Sequence, residues 1–290
     1  MSRIIITGAA GLLGQSLVAG LKSEHTLFCI DVTPGPFGPR ENIIYSQADL
    51  TEFAALRPRL VEFDADMIFN CAALSDVDTC ETNHELADKL NYELVNRLLG
   101  IPFRKFIHYS SDYVFDGENG PYSEDDPINP INYYGTTKMH SERILQNSGI
   151  NHLIIRTNVL YGRAINTRIS FIDWVYRSLR RGDSIKVVDD QYNNSTLASN
   201  LAEASVEAAI SDIGGILHLA GPDYLSRYEM AVNIADYFGL SAELIEKVAT
   251  DVINQKANRP HHAGLKTDRA QAVLRTKLLG LADGLTEISR

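Results

Sequence analysis

The sequence predicts an α/β protein with two parts, a doubly wound parallel sheet followed by a smaller, mixed α/β domain. Short β-branched runs alternate with amphipathic segments through the first half of the chain, which is typical of a parallel sheet covered by helices on both faces. After about residue 160 the alternation loosens into helical stretches separated by short strand-like pieces. We therefore divide the chain into residues 1–160 and 161–290, with part of 187–212 as a candidate to return to the first domain.

Each predicted element rests on its own pattern. Runs rich in Ile, Phe and Tyr predict strands at 3–7, 26–31, 42–47, 66–72, 105–111 and 151–157. Helical periodicity predicts helices at 11–24, 84–100, 170–182, 196–210 and 227–239. The segment TPGPFGPRE at 33–41 contains three prolines and two glycines, which break regular structure and predict a surface loop.

Composition and charge exclude several classes of protein. The 290 residues carry a formal net charge of -10, whereas a nucleic-acid surface needs clustered Lys and Arg. No apolar run approaches the ~18 residues of a membrane helix, and the first apolar run is too short for a signal peptide. We expect a cytoplasmic protein that acts on a small molecule, without nucleic-acid or membrane partners.

Cysteine and histidine usage agrees with that expectation. Cys29, Cys71 and Cys80 are odd in number and have no CxxC spacing, so we expect free thiols in a reducing compartment. His261 and His262 are adjacent but have no third ligand at metal spacing. We therefore predict no metal site.

The first strand–helix turn carries a phosphate-binding pattern. TGAAGLLG places Gly8, Gly11 and Gly14 at GxxGxxG spacing, directly after a strand and at the start of a helix. Glycines at these positions let backbone approach a pyrophosphate that rests on the helix N-terminus, as in a Rossmann dinucleotide site. A purely structural tight turn is the alternative interpretation.

Asp31, at the end of the second predicted strand, favours one dinucleotide over the other. Its carboxylate lies ~20 residues beyond the glycines, where it accepts hydrogen bonds from the adenosine ribose 2′-hydroxyl and would repel a 2′-phosphate. We therefore expect NAD(H) as the favoured cofactor and NADP(H) as the second choice. The other interpretation is that Asp31 only starts the loop before Thr33 and Pro34.

The segment YYGTTK holds a candidate proton donor. Residues four apart on a helix share a face, so Tyr134, and not Tyr133, is expected beside Lys138. A nearby ammonium is expected to lower the pKa of the phenol and to make it a general acid or base near neutral pH. An ordinary surface helix is the alternative.

Seven motifs occur in a characteristic order and spacing: TGAAGLLG, NCAALSDVDTCE, HYSSDYVFDG, PYSEDDPINPINYYGTTK, LIIRTNVLYG, VVDDQYNNSTLASNLAEA and RPHHAGLKT. Together they resemble an extended short-chain dehydrogenase/reductase, and within that superfamily the dTDP-4-dehydrorhamnose reductases. The resemblance covers almost the whole chain. It implies a NAD(P)H-dependent reductase of a nucleotide-linked 4-keto-6-deoxy sugar, with residues 161–290 as the substrate-binding domain and a homodimer as one assembly.

The resemblance also implies roles for individual residues. Ser111 would hydrogen-bond the sugar carbonyl, Tyr134 would give its proton to the developing alkoxide, and Lys138 would hold the nicotinamide ribose. The implied cofactor-binding residues, besides Tyr134 and Lys138, are Gly8, Ala10, Gly11, Leu12, Leu13, Gly14, Asp31, Asp49, Leu50, Cys71, Ala72, Ala73 and Asn158. The implied substrate-binding residues are Ser111, Asp112, Tyr113, Val159 and Arg259.

The roles of two residues in the implied substrate site, Val159 and Arg259, remain open from the sequence. Val159 stands where the reductases have a substrate-contacting tryptophan, so we expect either a wider pocket or a neighbouring aromatic, Tyr113 or Tyr161, in that place. Arg259 keeps its place in the family pattern and is a candidate clamp for a nucleotide diphosphate, since guanidinium pairs with phosphate in bidentate geometry. A helix-capping or salt-bridged Arg259 is the alternative.

Three classes of function remain open from the sequence. The first is the 4-keto reductase, and the second is an epimerase or dehydratase of the same superfamily. Dehydratases place Asp-Glu after the catalytic Ser or Thr, whereas Asp112 is followed by Tyr113, which argues against dehydration. The third is a non-catalytic NAD(P)-binding regulatory subunit like that of methionine adenosyltransferase. An intact Ser111, Tyr134 and Lys138 favours an enzyme.

Overall fold

The computed structural model describes residues 1–38, 40–211 and 213–289. Pro39, in the predicted loop, and Asp212 and Arg290, in the predicted second domain, lie outside the described residues. The strands are β1 (Arg3–Thr7), β2 (Thr26–Asp31), β3 (Ile43–Gln47), β4 (Met67–Asn70), β5 (Lys105–Ser111), β6 (His152–Thr157), β7 (Leu160–Tyr161), β8 (Ile185–Val188), β9 (Tyr192–Asn194), β10 (Thr196–Leu197), β11 (Gly215–His218), β12 (Tyr224–Ser226) and β13 (Ile245–Val248).

The helices fill most of the intervals between strands. They are α1 (Leu12–Leu21), α2 (Phe53–Phe63), α3 (Val77–Thr82), α4 (His84–Asp88), α5 (Leu94–Leu98), α6 (Tyr133–Asn147), α7 (Phe171–Arg180), α8 (Ala198–Ile210), α9 (Arg227–Phe238), α10 (Asp268–Val273) and α11 (Leu281–Ser289). A π-helical turn, Lys89–Glu93, joins α4 to α5, within the single helix predicted at 84–100. No helix in the described part of the chain has the length and apolar character needed to cross a membrane.

Seven parallel strands form the large sheet, in the order β11-β6-β5-β4-β1-β2-β3. The predicted doubly wound α/β fold is confirmed. All seven residues of β5 are buried, because helices cover both faces of the sheet at this central strand. The strand order reverses direction between β1 and β4, and the crevice at the carboxyl ends of these two strands is where ligands bind in open α/β sheets.

The second half of the chain contributes to the large sheet and also forms a core of its own. Helix α8 packs against α1, and β11 pairs with β6 at the edge of the large sheet. Helices α7, α9 and α11 pack together with the parallel pair β8–β13 around a separate apolar cluster. The division of the chain at residue 160 stays a prediction. The edge strand β11 of the large sheet comes from the part of the chain after residue 160.

Candidate active site

The glycine turn after β1 brings three backbone segments into direct contact. Gly8 has a φ of +64°, and a Cβ there would lie 2.7 Å from the amide nitrogen of Ala72. A Cβ on Gly14 would lie 2.2 Å from the carbonyl oxygen of Gly8. Because both neighbours are backbone, a side chain on Gly8 would push the turn away from the segment after β4, and a side chain on Gly14 would push α1 away from the turn. The cradle that a Cβ would fill fits the close backbone approach that a dinucleotide pyrophosphate requires.

Asp31 is tied both to this turn and to the loop that follows β2. Its Oδ2 accepts a hydrogen bond from the amide of Ala10 at 3.0 Å, and its Oδ1 accepts from the amide and the hydroxyl of Thr33, both at 3.0 Å. The carboxylate therefore starts the loop, as the second interpretation of the sequence has it, and is also fixed beside the glycine turn. A carboxylate has about four acceptor sites, so one remains for a ribose hydroxyl.

The other implied cofactor residues lie at the same edge of the sheet. Asp49 follows β3 and accepts a hydrogen bond from the amide of Thr51 at 2.8 Å, while the next residue, Leu50, is buried. Cys71 and Ala72 follow β4, and their amides donate to the carbonyl and the hydroxyl of Thr7, each at 3.2 Å. The ends of β1, β2, β3 and β4 thus form one continuous rim.

Tyr134 and Lys138 share one face of α6, and α6 packs onto the turn that follows β5. The side chain of Asn132 caps α6 by accepting from the amide of Gly135 at 2.8 Å. A Cβ on Gly135 would lie 2.0 Å from the carbonyl oxygen of Tyr113, so this glycine permits the close packing. Lys138 Nζ lies 5.9 Å from the centroid of the Tyr134 ring.

Tyr133 is directed to a different environment. Its ring stacks on His84 with centroids 3.6 Å apart, and its hydroxyl donates to Asp88 Oδ1 at 2.8 Å. The adjacent tyrosine is therefore engaged by α4, away from the residues that follow β5.

The predicted lowering of the Tyr134 pKa is wrong for the protein alone. Burial raises the pKa of the phenol well above its ordinary value of 10.0, and the charge of Asp112 raises it further, while a hydrogen bond with Ser111 acts in the opposite direction. Spacing on a helix could not show how deeply the phenol would be buried, and burial disfavours the charged form. A phenol with a raised pKa stays protonated at neutral pH, which is the state that a proton donor needs.

Lys138 is itself 3% exposed, and its ammonium donates to the carbonyl oxygen of Tyr109 at 2.9 Å. Burial lowers the pKa of Lys138 to about 8. At pH 7 the Lys138 ammonium is therefore charged in most molecules of the protein, and it begins to lose its proton as the pH approaches 8.

A buried carboxyl stands beside Ser111. Asp112 Oδ1 accepts from the Ser111 hydroxyl at 2.9 Å, and Asp112 Oδ2 accepts from Asn158 Nδ2 at 3.3 Å. Asn158 also accepts a hydrogen bond from the hydroxyl of Thr196 at 3.3 Å. Burial raises the pKa of Asp112 to about 6, against smaller lowering effects of its two hydrogen-bond donors and of the charge of Arg227.

This shift predicts a pH-dependent stability. Because the folded-state pKa of Asp112 lies above its unfolded value of 3.8, the stability it contributes is fully present below that value and is lost as the pH rises through about 6. We expect Asp112→Asn, which does not titrate, to raise the free energy of unfolding by about 1 to 3 kcal/mol at pH 8 and by little at pH 4. Urea unfolding at the two pH values measures the difference.

Asp116 provides the matched control. A hydrogen bond from the Tyr122 hydroxyl holds the pKa of this carboxyl below its ordinary value, so Asp116→Asn should lower stability at pH 8 rather than raise it. An equal effect of Asp112→Asn at both pH values would contradict the expectation.

The remaining implied substrate residues do not all face Ser111, Tyr134 and Lys138, the catalytic triad of the proposed site. The Tyr113 ring lies edge-on to the Tyr134 ring with centroids 6.0 Å apart. Tyr161 is 1% exposed within the core of the second half, so of the two aromatic candidates for the missing tryptophan only Tyr113 borders the triad. Val159 is half-buried with a φ of +32°, a strained conformation for a β-branched residue. Arg259 is salt-bridged to Asp78 at 2.9 Å, as the alternative interpretation has it.

Sequence reasoning missed Arg227 and the buried pair Glu142–Arg156. Arg227 is the first residue of α9, and its charge acts on both Asp112 and Tyr113. The sequence signal at this point, a Ser and a Glu three residues apart, predicts only a helix start. Glu142 lies one turn after Lys138 on α6 and is 2.7 Å from Arg156 of β6, a pairing that depends on the tertiary fold.

The comparisons with known proteins agree with this geometry. The family model of the RmlD substrate binding domain matches residues 2–289, and the chain belongs to this family. A probable low-salt glycan biosynthesis reductase of Haloferax volcanii is 31% identical, covering 98% of this chain and 96% of the relative. Methionine adenosyltransferase 2 subunit beta of Danio rerio is 29% identical, covering 97% of this chain and 85% of the relative.

Solved structures give the same grouping. A hypothetical dTDP-4-dehydrorhamnose reductase from Sulfolobus tokodaii has 33% identity and a TM-score of 0.84, covering 97% of this chain and 98% of its own. A dTDP-4-dehydrorhamnose reductase from Bacillus anthracis in complex with NADP has 25% identity and a TM-score of 0.87, covering 99% of this chain and 98% of its own. The resemblance seen in the sequence motifs is confirmed.

Proposed function

We propose that this member of the RmlD substrate-binding-domain family reduces the keto group of a nucleotide-linked 4-keto-6-deoxy sugar, with NAD(P)H as the reductant. The family supports an NAD(P)-dependent oxidoreductase, and the chain is an oxidoreductase of that kind. The observation that carries the proposal is the packing of α6 on the turn after β5. It sets Tyr134 beside both Lys138 and Ser111.

Each side chain has a distinct part in the proposed reaction. Bound NAD(P)H supplies the hydride. The Ser111 hydroxyl, which donates to Asp112 in the free protein, would donate instead to the sugar carbonyl oxygen, where negative charge develops. Tyr134, kept protonated by its burial, gives its proton to that oxygen. Lys138 is charged at neutral pH and lies near the Tyr134 ring, so it stabilises the tyrosinate left behind and offers donors to the nicotinamide ribose.

Turnover of defined substrates tests the proposal. Purified protein would be offered dTDP-, UDP- and GDP-linked 4-keto-6-deoxy sugars, each with NADH and with NADPH, and the loss of reduced cofactor would be followed by absorbance. We expect oxidation of the cofactor with at least one of these sugars. Cofactor binding without turnover of any of them would contradict the reductase.

The position of Asp31 predicts the cofactor preference. We expect NADH to be preferred, because a 2′-phosphate beside the Asp31 carboxylate would meet like charge. Asp31→Ala should shift the ratio of affinities toward NADPH by about five- to tenfold, the effect of roughly 1 kcal/mol of repulsion in a solvated site. Fluorescence titration of both cofactors measures the ratio.

Asp31→Asn separates charge from hydrogen bonding at the same position. The amide carries no charge and keeps one acceptor oxygen, which can serve either Ala10 or Thr33 but not both, so it should reproduce most of the shift. A strong preference of the unsubstituted protein for NADPH would overturn the assignment.

A substitution at Val159 tests how the substrate pocket differs from the pocket of reductases that have a tryptophan at this position. Val159→Trp restores an aromatic wall and removes β-branching from a residue with φ of +32°. If Tyr113 already supplies part of the wall for dTDP-4-dehydrorhamnose, the added ring should lower the KM for this substrate by about two- to tenfold. The kcat should stay unchanged, because the contact binds substrate and transition state alike. A raised KM would show that the pocket is shaped for another sugar.

A regulatory subunit is the second candidate, favoured by the 29% identity to methionine adenosyltransferase 2 subunit beta. Such a role would leave cofactor binding intact and would not need Tyr134. Stable co-purification with a methionine adenosyltransferase, together with no turnover of any sugar nucleotide, would favour this candidate over the reductase.

A further inference from the structure

Arg227 is held rigidly where β12 meets α9. The Ser226 hydroxyl accepts from the amide of Glu229 at 3.0 Å, and the Glu229 carboxylate accepts from the amide of Ser226 at 2.8 Å. The amide of Arg227 donates to the carbonyl oxygen of Gln191 at 3.0 Å. The helix therefore begins at one defined residue, and the Arg227 side chain leaves a backbone that is fixed on both sides.

The guanidinium of Arg227 lies against an aromatic ring and has no ion-pair partner in the described part of the chain. Its Cζ lies over the Phe171 ring at 5.0 Å from the centroid. Within residues 1–38, 40–211 and 213–289, its side chain makes no ion pair or hydrogen bond. The side chain is nevertheless half-buried, and burial lowers the pKa of the guanidinium. A partly desolvated cation with five unused donors is costly unless an acceptor is supplied from outside.

The neighbouring charged groups are already engaged. Asp112 accepts hydrogen bonds from Ser111 and Asn158, and Arg259 is paired with Asp78. The charge of Arg227 acts on Asp112 and also on Tyr113, ahead of the charge of Arg259. The charge of Arg227 is thus felt at Asp112, the residue that follows Ser111, and the donors of Arg227 remain unused.

We propose that Arg227 binds an oxyanion of the substrate, a phosphate or a carboxylate, through the guanidinium that lies over the Phe171 ring. The inference rests on the proposed function, because it takes the substrate to lie against the triad. Guanidinium matches the two oxygens of either group in bidentate geometry. The diphosphate of a sugar nucleotide and the carboxylate of a uronic sugar share this chemistry.

Three sugar nucleotides distinguish the two sources. Dissociation constants for dTDP-glucose, UDP-glucose and UDP-glucuronate would be measured by calorimetry on the full chain, without turnover. Arg227→Gln should weaken binding by about 10- to 100-fold where the oxyanion is present, the usual worth of charge-assisted hydrogen bonds. An equal loss for all three ligands assigns Arg227 to the diphosphate, and a loss confined to UDP-glucuronate assigns it to the carboxylate.

Two further variants keep the test specific. Arg227→Lys retains the positive charge but not the paired N–H donors of the guanidinium, and it should lose less affinity than Arg227→Gln. Arg180 on α7 also lies near an aromatic ring, that of Tyr176 at 5.8 Å, so Arg180→Gln controls for the loss of a stacked arginine and should bind all three ligands normally. Thermal unfolding confirms that each variant is folded.

The outcomes separate this inference from the function on which it rests. If unsubstituted protein binds the sugar nucleotides and Arg227→Gln binds them equally well, the assignment of Arg227 is overturned while the proposed function stands. If unsubstituted protein binds none of the three and turns over none of the 4-keto-6-deoxy sugar nucleotides, the proposed function fails, and the role of Arg227 falls with it.

Discussion

Tyr134→Phe is expected to abolish most turnover while leaving cofactor affinity unchanged. The substitution removes one hydroxyl and keeps the ring that packs against Tyr113 and Lys138. General acid catalysis contributes about 100- to 10,000-fold, and a group that acts in the transition state is lost from kcat more than from KM. Steady-state kinetics with the substrate found in the screen, and fluorescence titration of NADH, measure the two quantities.

Tyr133→Phe is the matched control on the same helix. Its hydroxyl hydrogen-bonds Asp88 at 2.8 Å, so its removal should cost about 1 kcal/mol of stability and leave kcat nearly unchanged. Equal losses of kcat in the two variants would contradict the assignment of Tyr134 as the donor.

The pH profile of the unsubstituted enzyme adds an independent check. Tyr134 stays protonated through the neutral range because its pKa is raised by burial. Lys138, with its pKa lowered to about 8, loses its charge first as the pH rises. We therefore attribute a fall in kcat/KM on the alkaline side of about pH 8 to Lys138 rather than to the phenol.

The fold was predictable wherever the sequence signal was local. The β-branched runs of β1 and β5 and the glycines between β1 and α1 each carry their information within a few residues. The edge strand β11 has only four residues, and its first residue is a glycine at φ of +76°. Its place beside β6 is decided by tertiary packing that no short pattern records.

The candidate site divides in the same way. Helical spacing was enough to select Tyr134 over Tyr133, because the relation to Lys138 is set by four residues of one helix. Spacing gave the wrong sign for the Tyr134 pKa, since burial comes from the turn after β5 and the segments packed around it. Arg227 escaped prediction because its position near Asp112 exists only once the second half of the chain has folded against the first.

The second large effect is expected from Glu142, which lies in a buried ion pair behind the triad. Arg156 contacts both of its carboxylate oxygens, at 2.9 and 2.7 Å, and the Ser110 hydroxyl donates to one of them at 2.5 Å. Glu142 and Arg156 are 0% and 2% exposed. The pair thus joins the catalytic helix α6 to β5 and β6 at a point one turn from Lys138.

Glu142→Gln leaves the Arg156 charge buried without its carboxylate. Breaking a buried pair in this way costs about 3 to 5 kcal/mol, so we expect a large fall in the free energy of unfolding by urea. Glu142→Gln combined with Arg156→Met should lose less than Glu142→Gln alone, because no charge is then left unpaired. Glu93→Gln is the control, because Glu93 forms a more exposed ion pair with Arg97, at 3.1 Å. Its loss should lower the free energy of unfolding by no more than about 1 kcal/mol.

The same substitution should also change the pH profile. Cys80, Cys71 and Glu142 raise the pKa of Lys138. Of these three, only Glu142 forms an ion pair among the described residues, with Arg156. Its loss, with the Arg156 charge left in place, should move the alkaline fall in kcat/KM to lower pH, and the double variant should reverse part of that shift. A purely structural Glu142 would lower stability and leave the profile where it is, because a weakened fold does not by itself alter the pKa of Lys138 in the molecules that remain folded.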